Sequence, residues 1–275
     1  MADIDQFATV ELGSDDARAG LMLSAEANWN QNEADWRLFL KEGTVFGVRD
    51  RDRRLIATAA LLPYTSANAW ISMVLVTANW RRHGLATRLV DTCLDTATKR
   101  GLTCWLDATP AGAAVYGPLG FTPTLQLRRL RRENSPQAGT SRLLSTCNLA
   151  ELIARDTSAM GFDRSVLLTE LAGRPGSRLL SSGDAVALVR DGRKARHIGP
   201  LFASAPDQAI AMVEVIARSE AGPWLIDAVN GQQEFLKGLT GSGWIVERPY
   251  QRMRFGRATT RAETLPFAVA GPEYG

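Results

Sequence analysis

The hydrophobic and polar positions of this 275-residue chain fall into two successive series of helices and strands. In the first series, Asn30 and Glu33 form a predicted capping box, so that a helix begins after Asn30 and ends before Gly43. The periodicity of apolar residues predicts the other elements of this series. They are helices at 17–27 and 84–100, a short helix from Pro110, and strands at 44–48, 55–64, 69–77, 103–109 and 121–132.

The second series repeats the order of the first after a polar, proline-containing stretch. The pattern predicts helices at 149–159, 163–172, 206–219 and near 231–240, and strands at 177–182, 184–192, 195–203, 223–229, 243–249 and 251–256. Residues 105–121 and 224–244 run in parallel, each with Trp, Asp-Ala, a short helix and Gly-aromatic. We therefore predict two copies of one module, 1–132 and 141–257, joined by a linker at 133–140; no structure is predicted for the tail 258–275.

Composition and charge favour a soluble globular protein. Hydrophobic residues make up 45% and charged residues 22%, with a net charge of +3. Two arginine-rich runs, 128–132 and 190–196, are interpreted as a solvated strand end and a solvated hairpin turn, and they lack the aromatic residues that stack on nucleic acid. We expect neither a nucleic-acid partner nor a membrane partner.

The cysteines and histidines are too few for a disulfide framework or a structural zinc site. There are three cysteines and two histidines, with no Cys-x-x-Cys pair. The N-terminal stretch lacks the pattern of a signal peptide, and there is no apolar run of membrane-spanning length. We expect a reduced, cytoplasmic protein without a metal.

The stretch NWRRHGLATRL, residues 79–89, places positive charge and a bare backbone where a buried strand gives way to a helix. A helix N-terminus presents unpaired N–H groups and a partial positive charge, which favour phosphate. Gly84 and Ala86 leave room for a ligand near the backbone, and Arg81 and Arg82 supply charge. The spacing fits neither a P-loop nor a dinucleotide fingerprint. The stretch therefore predicts a diphosphate-binding turn.

Residues 1–132 resemble the GNAT superfamily of N-acetyltransferases. Arg81, Gly84 and Ala86 match its Gln/Arg-x-x-Gly-x-Gly/Ala motif, and Tyr116 in AAVYGPLGF matches its later Tyr followed by Gly-Phe. The second half resembles the second GNAT-like domain of a bacterial tandem subfamily, but its helix begins at SAPDQA without the motif. The resemblance implies an α/β (α+β) fold of two tandem GNAT-like domains, each a mixed, mostly antiparallel sheet flanked by helices, with a degenerate C-terminal domain.

The resemblance implies an acetyl-CoA-dependent N-acetyltransferase. Acetyl would pass to a primary amine of an unidentified small molecule or peptide by direct attack, in a monomer or homodimer. Tyr116 would protonate the departing thiolate, the alternative being a half-buried core aromatic. No metal is implied. The residues expected to bind acetyl-CoA are Val74, Leu75, Val76, Arg81, Arg82, His83, Gly84, Leu85, Ala86 and Thr87.

The general base and the acceptor site are less sharply defined by the sequence. Asp107 is a candidate base, with a helix cap near Pro110 as the equal alternative, and Glu33 and Asp35 are further candidates. Trp29, Asn30 and Asp227 are expected to bind the acceptor; Asp227 and Asn230 could instead cap the following helix. A different class of function stays open, namely a non-catalytic acyl-CoA sensor or regulatory module.

Overall fold

A computed structural model describes residues 7–133, 144–220, 222–257 and 264–275. The predicted linker lies outside these residues from position 134 to position 140, as does the predicted tail from 258 to 263. The chain divides into two compact units. Unit 1 comprises residues 1–106, 114–122 and 254–257, and unit 2 comprises residues 107–113, 123–253 and 258–275. Residues 123–132, the end of the first predicted module, thus belong to unit 2, and residues 254–257, the end of the second, belong to unit 1. The linker at 133–140 stays a prediction.

The first half of the chain forms the predicted series of elements, preceded by one short strand that the pattern analysis missed. The elements, in chain order, are β1 (Thr9–Glu11), α1 (Ala17–Glu26), α2 (Glu33–Glu42), β2 (Thr44–Arg49), β3 (Leu55–Tyr64), β4 (Asn68–Val76), α3 (Leu85–Lys99), β5 (Thr103–Ala108), α4 (Pro110–Tyr116) and β6 (Thr122–Arg132).

The second half repeats that series, again with an additional short strand at its start. The elements are β7 (Ser145–Thr146), α5 (Leu149–Met160), α6 (Ser165–Gly173), β8 (Arg178–Ser182), β9 (Ala185–Arg190), β10 (Arg196–Phe202), α7 (Pro206–Ser219), β11 (Trp224–Val229), α8 (Gln233–Gly241) and β12 (Ile245–Phe255). The two strands predicted at 243–249 and 251–256 are one continuous strand, because Pro249 does not interrupt β12.

The capping box of α2 lies two residues further along the chain than predicted. Asn32 is the N-cap: its side chain accepts a hydrogen bond from the Asp35 N–H, and the Asp35 carboxylate accepts one from the Asn32 N–H at 2.8 Å. The predicted pair of Asn30 and Glu33 was therefore wrong. The cap fixes the start of a helix whose Trp36 and Phe39 are completely buried.

The sheet of unit 1 is antiparallel except at its last pair of strands. Strand order is β1-β2-β3-β4-β5; β1 to β4 are joined by antiparallel pairs, and β4 pairs with β5 in parallel. On α3, the buried residues Leu85, Leu89, Cys93 and Ala97 recur every four positions and form the apolar face that the sequence predicts.

The sheet of unit 2 follows the same plan. Strand order is β12-β6-β11-β10-β9-β8-β7; β10 pairs with β11 in parallel, and the pairs β11–β6, β10–β9 and β9–β8 are antiparallel. Phe235, Leu239 and Trp244 belong to a core that also takes in Phe267 and Ala268. The chain therefore has an α/β (α+β) fold in which each unit carries mixed, mostly antiparallel strands flanked by helices.

The interpretation of the two arginine runs as solvated surface was wrong for their most buried members. Arg129 in β6 is 6% exposed and Arg190 in β9 is 2% exposed. Both side chains are buried in unit 2 because each has an acidic partner there, Asp227 and Glu273 respectively. In the described ranges of the chain, no helix is long and apolar enough to cross a membrane.

Candidate functional site

In unit 1, the parallel strands β4 and β5 are paired over three residues and then separate. The parallel pairing joins Asn68, Ala69 and Trp70 to Thr103, Cys104 and Trp105. β4 then continues to Val76. Within the described residues, Ile71 to Val76 have no pairing partner on the β5 side. This open edge includes Val74, Leu75 and Val76, whose binding of acetyl-CoA stays a prediction.

A bulge in β4 accompanies this separation. Between Thr58 and Ala60 of β3 there is one residue, whereas between their partners Leu75 and Ser72 there are two. Met73 takes a left-handed backbone conformation, with φ of 51°, and its carbonyl accepts a hydrogen bond from the Thr58 hydroxyl at 2.8 Å. A bulge of this kind bends a strand and re-aims its backbone groups.

The backbone of β4 points a donor into the opening. The Thr77 N–H donates to the Ile56 carbonyl of β3 at 2.9 Å. Because successive residues of a strand direct their N–H groups to opposite sides, the Val76 N–H is turned toward the open side. A carbonyl oxygen placed there can accept a hydrogen bond from the strand.

The turn between β4 and α3 holds the predicted phosphate-binding backbone. Gly84 is the N-cap of α3 with φ of 86°, a conformation that suits glycine. No side chain caps this helix, and its first internal hydrogen bond is from the Arg88 N–H to the Gly84 carbonyl. The N–H groups of Leu85, Ala86 and Thr87 therefore have no acceptor within the helix.

The cationic side chains of the turn differ in the hydrogen bonds that they form. The Arg81 side chain folds back, and its Nε donates to the Val76 carbonyl at 3.1 Å. His83 Nδ1 lies 2.9 Å from the Arg81 carbonyl, and the ring meets Trp80 edge-on. Arg82 is exposed, with φ of 64°. Both arginines are exposed beside the N-terminus of α3, but Arg81 is tied to the end of β4 through its Nε.

Tyr116 lies at the end of α4, half-buried, among aromatic rings and beside the buried face of α3. Its ring centroid is 6.0 Å from that of Phe121, which is 5.6 Å from that of Phe255. Burial, with a smaller contribution from the Cys93 thiol, raises the pKa of Tyr116 to about 12. A phenol with this pKa keeps its proton at neutral pH and can give it to a thiolate.

Asp107, the candidate base, lies in unit 2 and is paired with an arginine. Its two carboxylate oxygens accept hydrogen bonds from Arg252 Nε and Nη2 at 2.9 and 2.8 Å, and both side chains are buried. Burial raises the pKa of Asp107, and the Arg252 guanidinium opposes that rise. The alternative role as a helix cap was wrong, because Thr109 Oγ1 accepts the Gly112 N–H at the start of α4.

The other candidate bases are also engaged. Asp35 is completely buried in the capping box of α2. Glu33 is paired with Arg37 one helical turn further along. A base role for any of these three carboxylates stays a prediction.

The predicted acceptor residues are split between the two units. Trp29 is half-buried and Asn30 buried, in the unit 1 loop between α1 and α2. The two helices that this loop joins pack closely, because a Cβ on Gly20 of α1 would lie 2.4 Å from the Trp36 ring of α2. An acceptor role for Trp29 and Asn30 stays a prediction.

Asp227 of unit 2 is the centre of a buried ionic group. Its oxygens each accept a hydrogen bond from Arg129 at 2.8 Å, and His197 Nε2 lies 2.9 Å from Oδ2. Burial alone would raise the pKa of this carboxyl, but Arg129 and His197 together hold it well below its usual range. The alternative role as a helix cap was wrong, because the N-cap of α8 is Gln232. The geometry gives Asp227 protein partners rather than an open face for substrate.

Sequence reasoning missed this ionic group. The signal was nevertheless present, because Arg129 shares one face of β6 with Leu125 and Leu127 at the two-residue period of a strand. Burial lowers the pKa of His197, and Arg190 acts in the same direction, so that the ring tends to stay neutral beside Asp227.

A cavity of about 610 Å³ adjoins the β4–α3 turn in unit 1. It is bounded by α1, the β2–β3 hairpin and the turn. Its acidic groups already have partners: Glu26 accepts the Ala78 N–H at 2.7 Å, and Asp50 accepts the N–H groups of Asp52 and Arg54. Among the described residues there is no group of three or more potential metal ligands.

The fold is similar to solved structures of acetyltransferases. One is an acetyltransferase from Pyrococcus horikoshii, at 19% identity and a TM-score of 0.80, with 100% of this chain and 98% of that chain covered. Another is a GCN5-related N-acetyltransferase from Sphaerobacter thermophilus, at 16% identity and a TM-score of 0.65, with coverage of 94% and 99%. A tandem GNAT protein from the clavulanic acid biosynthesis pathway matches at 14% identity and a TM-score of 0.65, with coverage of 92% and 100%.

Family descriptions match both halves of the chain. A search of curated protein sequences gives no significant match. The "Acetyltransferase (GNAT) family" matches residues 15–121, and the "Acetyltransferase (GNAT) domain" matches residues 152–267. Together with the matching strand arrangement of the two units, these matches identify the chain as a member of the GNAT superfamily with two GNAT domains in tandem.

Proposed function

We propose that this protein is an acetyl-CoA-dependent N-acetyltransferase whose donor site lies in unit 1. The observation that supports it most strongly is the opening between β4 and β5, beside a helix N-terminus with no side-chain cap. The GNAT family uses acetyl-CoA, and the pantetheine arm of that donor carries two amides that can pair with a strand. The diphosphate fits the N–H groups of Leu85, Ala86 and Thr87, with Arg82 as a nearby cation.

The reaction proposed is a direct transfer. The lone pair of an acceptor amine forms a bond to the thioester carbonyl carbon, and the carbon–sulfur bond breaks. The Val76 N–H is oriented to stabilise the carbonyl oxygen as charge develops on it. Tyr116 gives its proton to the leaving thiolate, and the proton lost by the amine passes to a base or to solvent. The high pKa of Tyr116 keeps this proton available at neutral pH.

The experiment that tests this proposal measures free-thiol release from acetyl-CoA with a panel of primary amines. Release that depends on an amine, with the acetylated amine detected by mass spectrometry, supports the proposal. Titration of acetyl-CoA into the protein by calorimetry serves as the companion measurement. Failure to bind acetyl-CoA at micromolar concentration would contradict the proposed donor site itself.

One observation favours a second candidate, a non-catalytic acyl-CoA-binding module. The carboxylates considered as bases are all engaged: Asp107 with Arg252, Asp35 in a capping box and Glu33 with Arg37. A sensor needs no base. Tight acetyl-CoA binding without thiol release, across amines of differing charge and size, would select this alternative.

A further inference from the structure

The parallel strand pair of unit 2 also opens after three residue pairs. Arg196, His197 and Ile198 of β10 pair with Trp224, Leu225 and Ile226 of β11. Beyond them the pairing of β10 with β9 shifts register between Ile198 and Leu201. These are the features that β4 and β5 show in unit 1, in the same order along the chain. Unit 2 therefore contains the counterpart of the donor opening.

This counterpart opening is filled by the chain itself. Ala268 forms antiparallel bridges both to Leu201 of β10 and to Ala228 of β11. The Leu201 N–H donates to the Ala268 carbonyl and the Phe267 N–H to the Leu201 carbonyl, both at 2.9 Å. On the other side, the Val229 N–H donates to the Phe267 carbonyl and the Val269 N–H to the Asp227 carbonyl, both at 3.0 Å. Residues 267–269 thus act as a short strand inserted between β10 and β11.

The side chains of the inserted strand are part of the core of unit 2. Phe267 is 5% exposed and packs edge-on against Phe235 at a centroid distance of 5.2 Å. Val269 packs in a cluster with Leu127, Val229 and Tyr250. A Cβ on Gly199 would lie 2.1 Å from the Val269 carbonyl oxygen, so a glycine at this point lets the strand approach closely.

The residues after the inserted strand are held by two buried arginines. Arg190 Nη2 donates to the Ala270 carbonyl and to Glu273 Oε1, each at 2.9 Å. Arg164 Nη1 donates to main-chain oxygens of Tyr274 and Gly275 at 2.8 and 2.7 Å, while its other nitrogens bind Asp156. Each of these arginines is at most 2% exposed. Such paired, buried charges hold residues 267–275 in one position.

We propose that the opening between β10 and β11 is a peptide-binding cleft whose ligand is the 267–275 segment of this chain, which excludes an acyl-CoA pantetheine arm from unit 2. The segment supplies the backbone donors and acceptors that an arm with two amides would supply, and it adds apolar side chains and the Glu273–Arg190 salt bridge, which such an arm lacks. This mode of recognition is the addition of a strand to exposed strand edges. One consequence, which rests on the proposed function, is that the protein binds one acetyl-CoA molecule, in unit 1, rather than two.

The occupancy of the cleft is tested without any acyl-CoA, by amide hydrogen exchange of the free protein. We expect the Leu201, Val229 and Val269 amides to exchange at least about 100-fold more slowly than the Val76 amide, which faces the open cleft of unit 1. Exchange of Leu201 and Val229 as fast as that of Val76 would overturn the proposal. This measurement needs no variant, so it does not depend on a variant's folding.

A pair of variants sharpens the same test. Ala268→Glu places a charge at a completely buried position, whereas Ala150→Glu places it at an exposed position of the same unit. We expect Ala268→Glu to accelerate exchange at Leu201 and Val229 by about tenfold or more, with β8 and β9 still protected, and Ala150→Glu to leave all of them unchanged. Unchanged exchange in Ala268→Glu would contradict the placement of the segment.

The consequence for acyl-CoA binding is tested by native mass spectrometry with acetyl-CoA. We expect one bound molecule in the wild-type protein and none in Gly84→Glu. Two bound molecules in the wild-type protein would overturn the exclusion of acyl-CoA from unit 2 while leaving the donor site of unit 1 in place. One molecule still bound in Gly84→Glu would overturn that exclusion together with the assignment of the donor site to the Gly84 turn. No binding to the wild-type protein would instead refute the proposed function, and the exchange measurement would still decide the occupancy of the cleft.

Discussion

The parallel strand pairs β4–β5 and β10–β11 both separate after three residue pairs, yet only the second is closed by a third strand of the described chain. The turns that follow them also differ. α3 begins at Gly84 in a left-handed conformation, with Arg82 exposed beside it, whereas α7 begins at Ala205 and Pro206. A proline at the first turn removes a backbone donor that a phosphate would use. We propose that the same fold serves as a donor site in unit 1, and in unit 2 it binds residues 267–269 of its own chain.

The largest expected effect concerns Tyr116, the proposed proton donor. In Tyr116→Phe we expect turnover to fall by about 10²–10⁴-fold, because the variant cannot protonate the leaving thiolate. Acetyl-CoA affinity should change little. Since the pKa of Tyr116 is raised to about 12, the wild-type rate should show no loss attributable to this group below about pH 11.

Steady-state kinetics and a pH profile check this prediction. The structural role of the ring, its contact with Phe121, is kept in Tyr116→Phe. Unchanged turnover in the variant would leave Tyr116 as an aromatic of the core and remove it from the mechanism.

The next effect concerns the ionic group beside the filled cleft. Asp227→Asn leaves Arg129 buried without its carboxylate, and we expect unit 2 to lose about 3–5 kcal/mol of stability. Because the folded-state pKa of Asp227 is lowered, its contribution is present above the ordinary carboxyl pKa and is lost as the pH falls below about 4. The variant should therefore lose less stability than the wild-type protein on acidification.

Urea unfolding followed through the exchange of unit 2 amides measures this change. Asp207→Asn, an exposed carboxylate in the first turn of α7, is the matched control and should cost no more than about 1 kcal/mol. Equal losses in the two variants would show that the Asp227 ion pair adds nothing to the stability of unit 2.

A smaller effect, still about 100-fold, is expected in the affinity of the donor site. Gly84→Glu puts a carboxylate where we place a diphosphate. It also forces a non-glycine residue into a left-handed backbone conformation. Gly101→Glu imposes a similar backbone cost, since Gly101 has φ of 66°, but at the opposite end of α3. Calorimetric titration with acetyl-CoA should show the loss only for Gly84→Glu. A similar loss in both variants would assign the effect to general destabilisation.

The smallest effect expected is that of one surface cation. Arg82→Gln should weaken acetyl-CoA binding by about three- to tenfold at low salt, and by less as salt screens the charge. Arg100→Gln removes an equally exposed charge from the far end of the same helix and should have no effect. Titrations at two salt concentrations distinguish the cases; a difference that does not shrink with salt would mean that Arg82 does not act through its charge.

The sequence was sufficient for most of the helices and strands and for the glycine turn that begins α3, whose role as a donor site stays a prediction. Strong periodicity located α3 and α7, and the strand β3 over Leu55–Tyr64 was predicted with its observed bounds. Local signals located Gly84, because its chemistry lies within one turn of chain. The capping box was misplaced because Asn30 and Asn32 offer the same cap chemistry at neighbouring positions, and only packing selects Asn32.

The filled cleft was beyond the reach of local pattern. Arg129, Arg190 and Asp227 look like surface residues until residues far apart in the chain are brought together. The sequence of the 267–275 segment does suggest burial, because an apolar run from Leu265 to Ala270 lies between charged residues and a glycine. Its partners, however, depend on which two strands separate, and strand separation follows from a bulge that periodicity does not reveal.

The most direct test of the account is the effect of acetyl-CoA on individual backbone amides, followed by NMR. We predict that saturating acetyl-CoA slows hydrogen exchange at Val76 and at Leu85, Ala86 and Thr87, with Leu201 and Val229 unchanged because they are already bound to residues 267–269. Protection that appears at Leu201 and Val229 instead, or at none of these amides, would contradict the assignment of the donor site to unit 1.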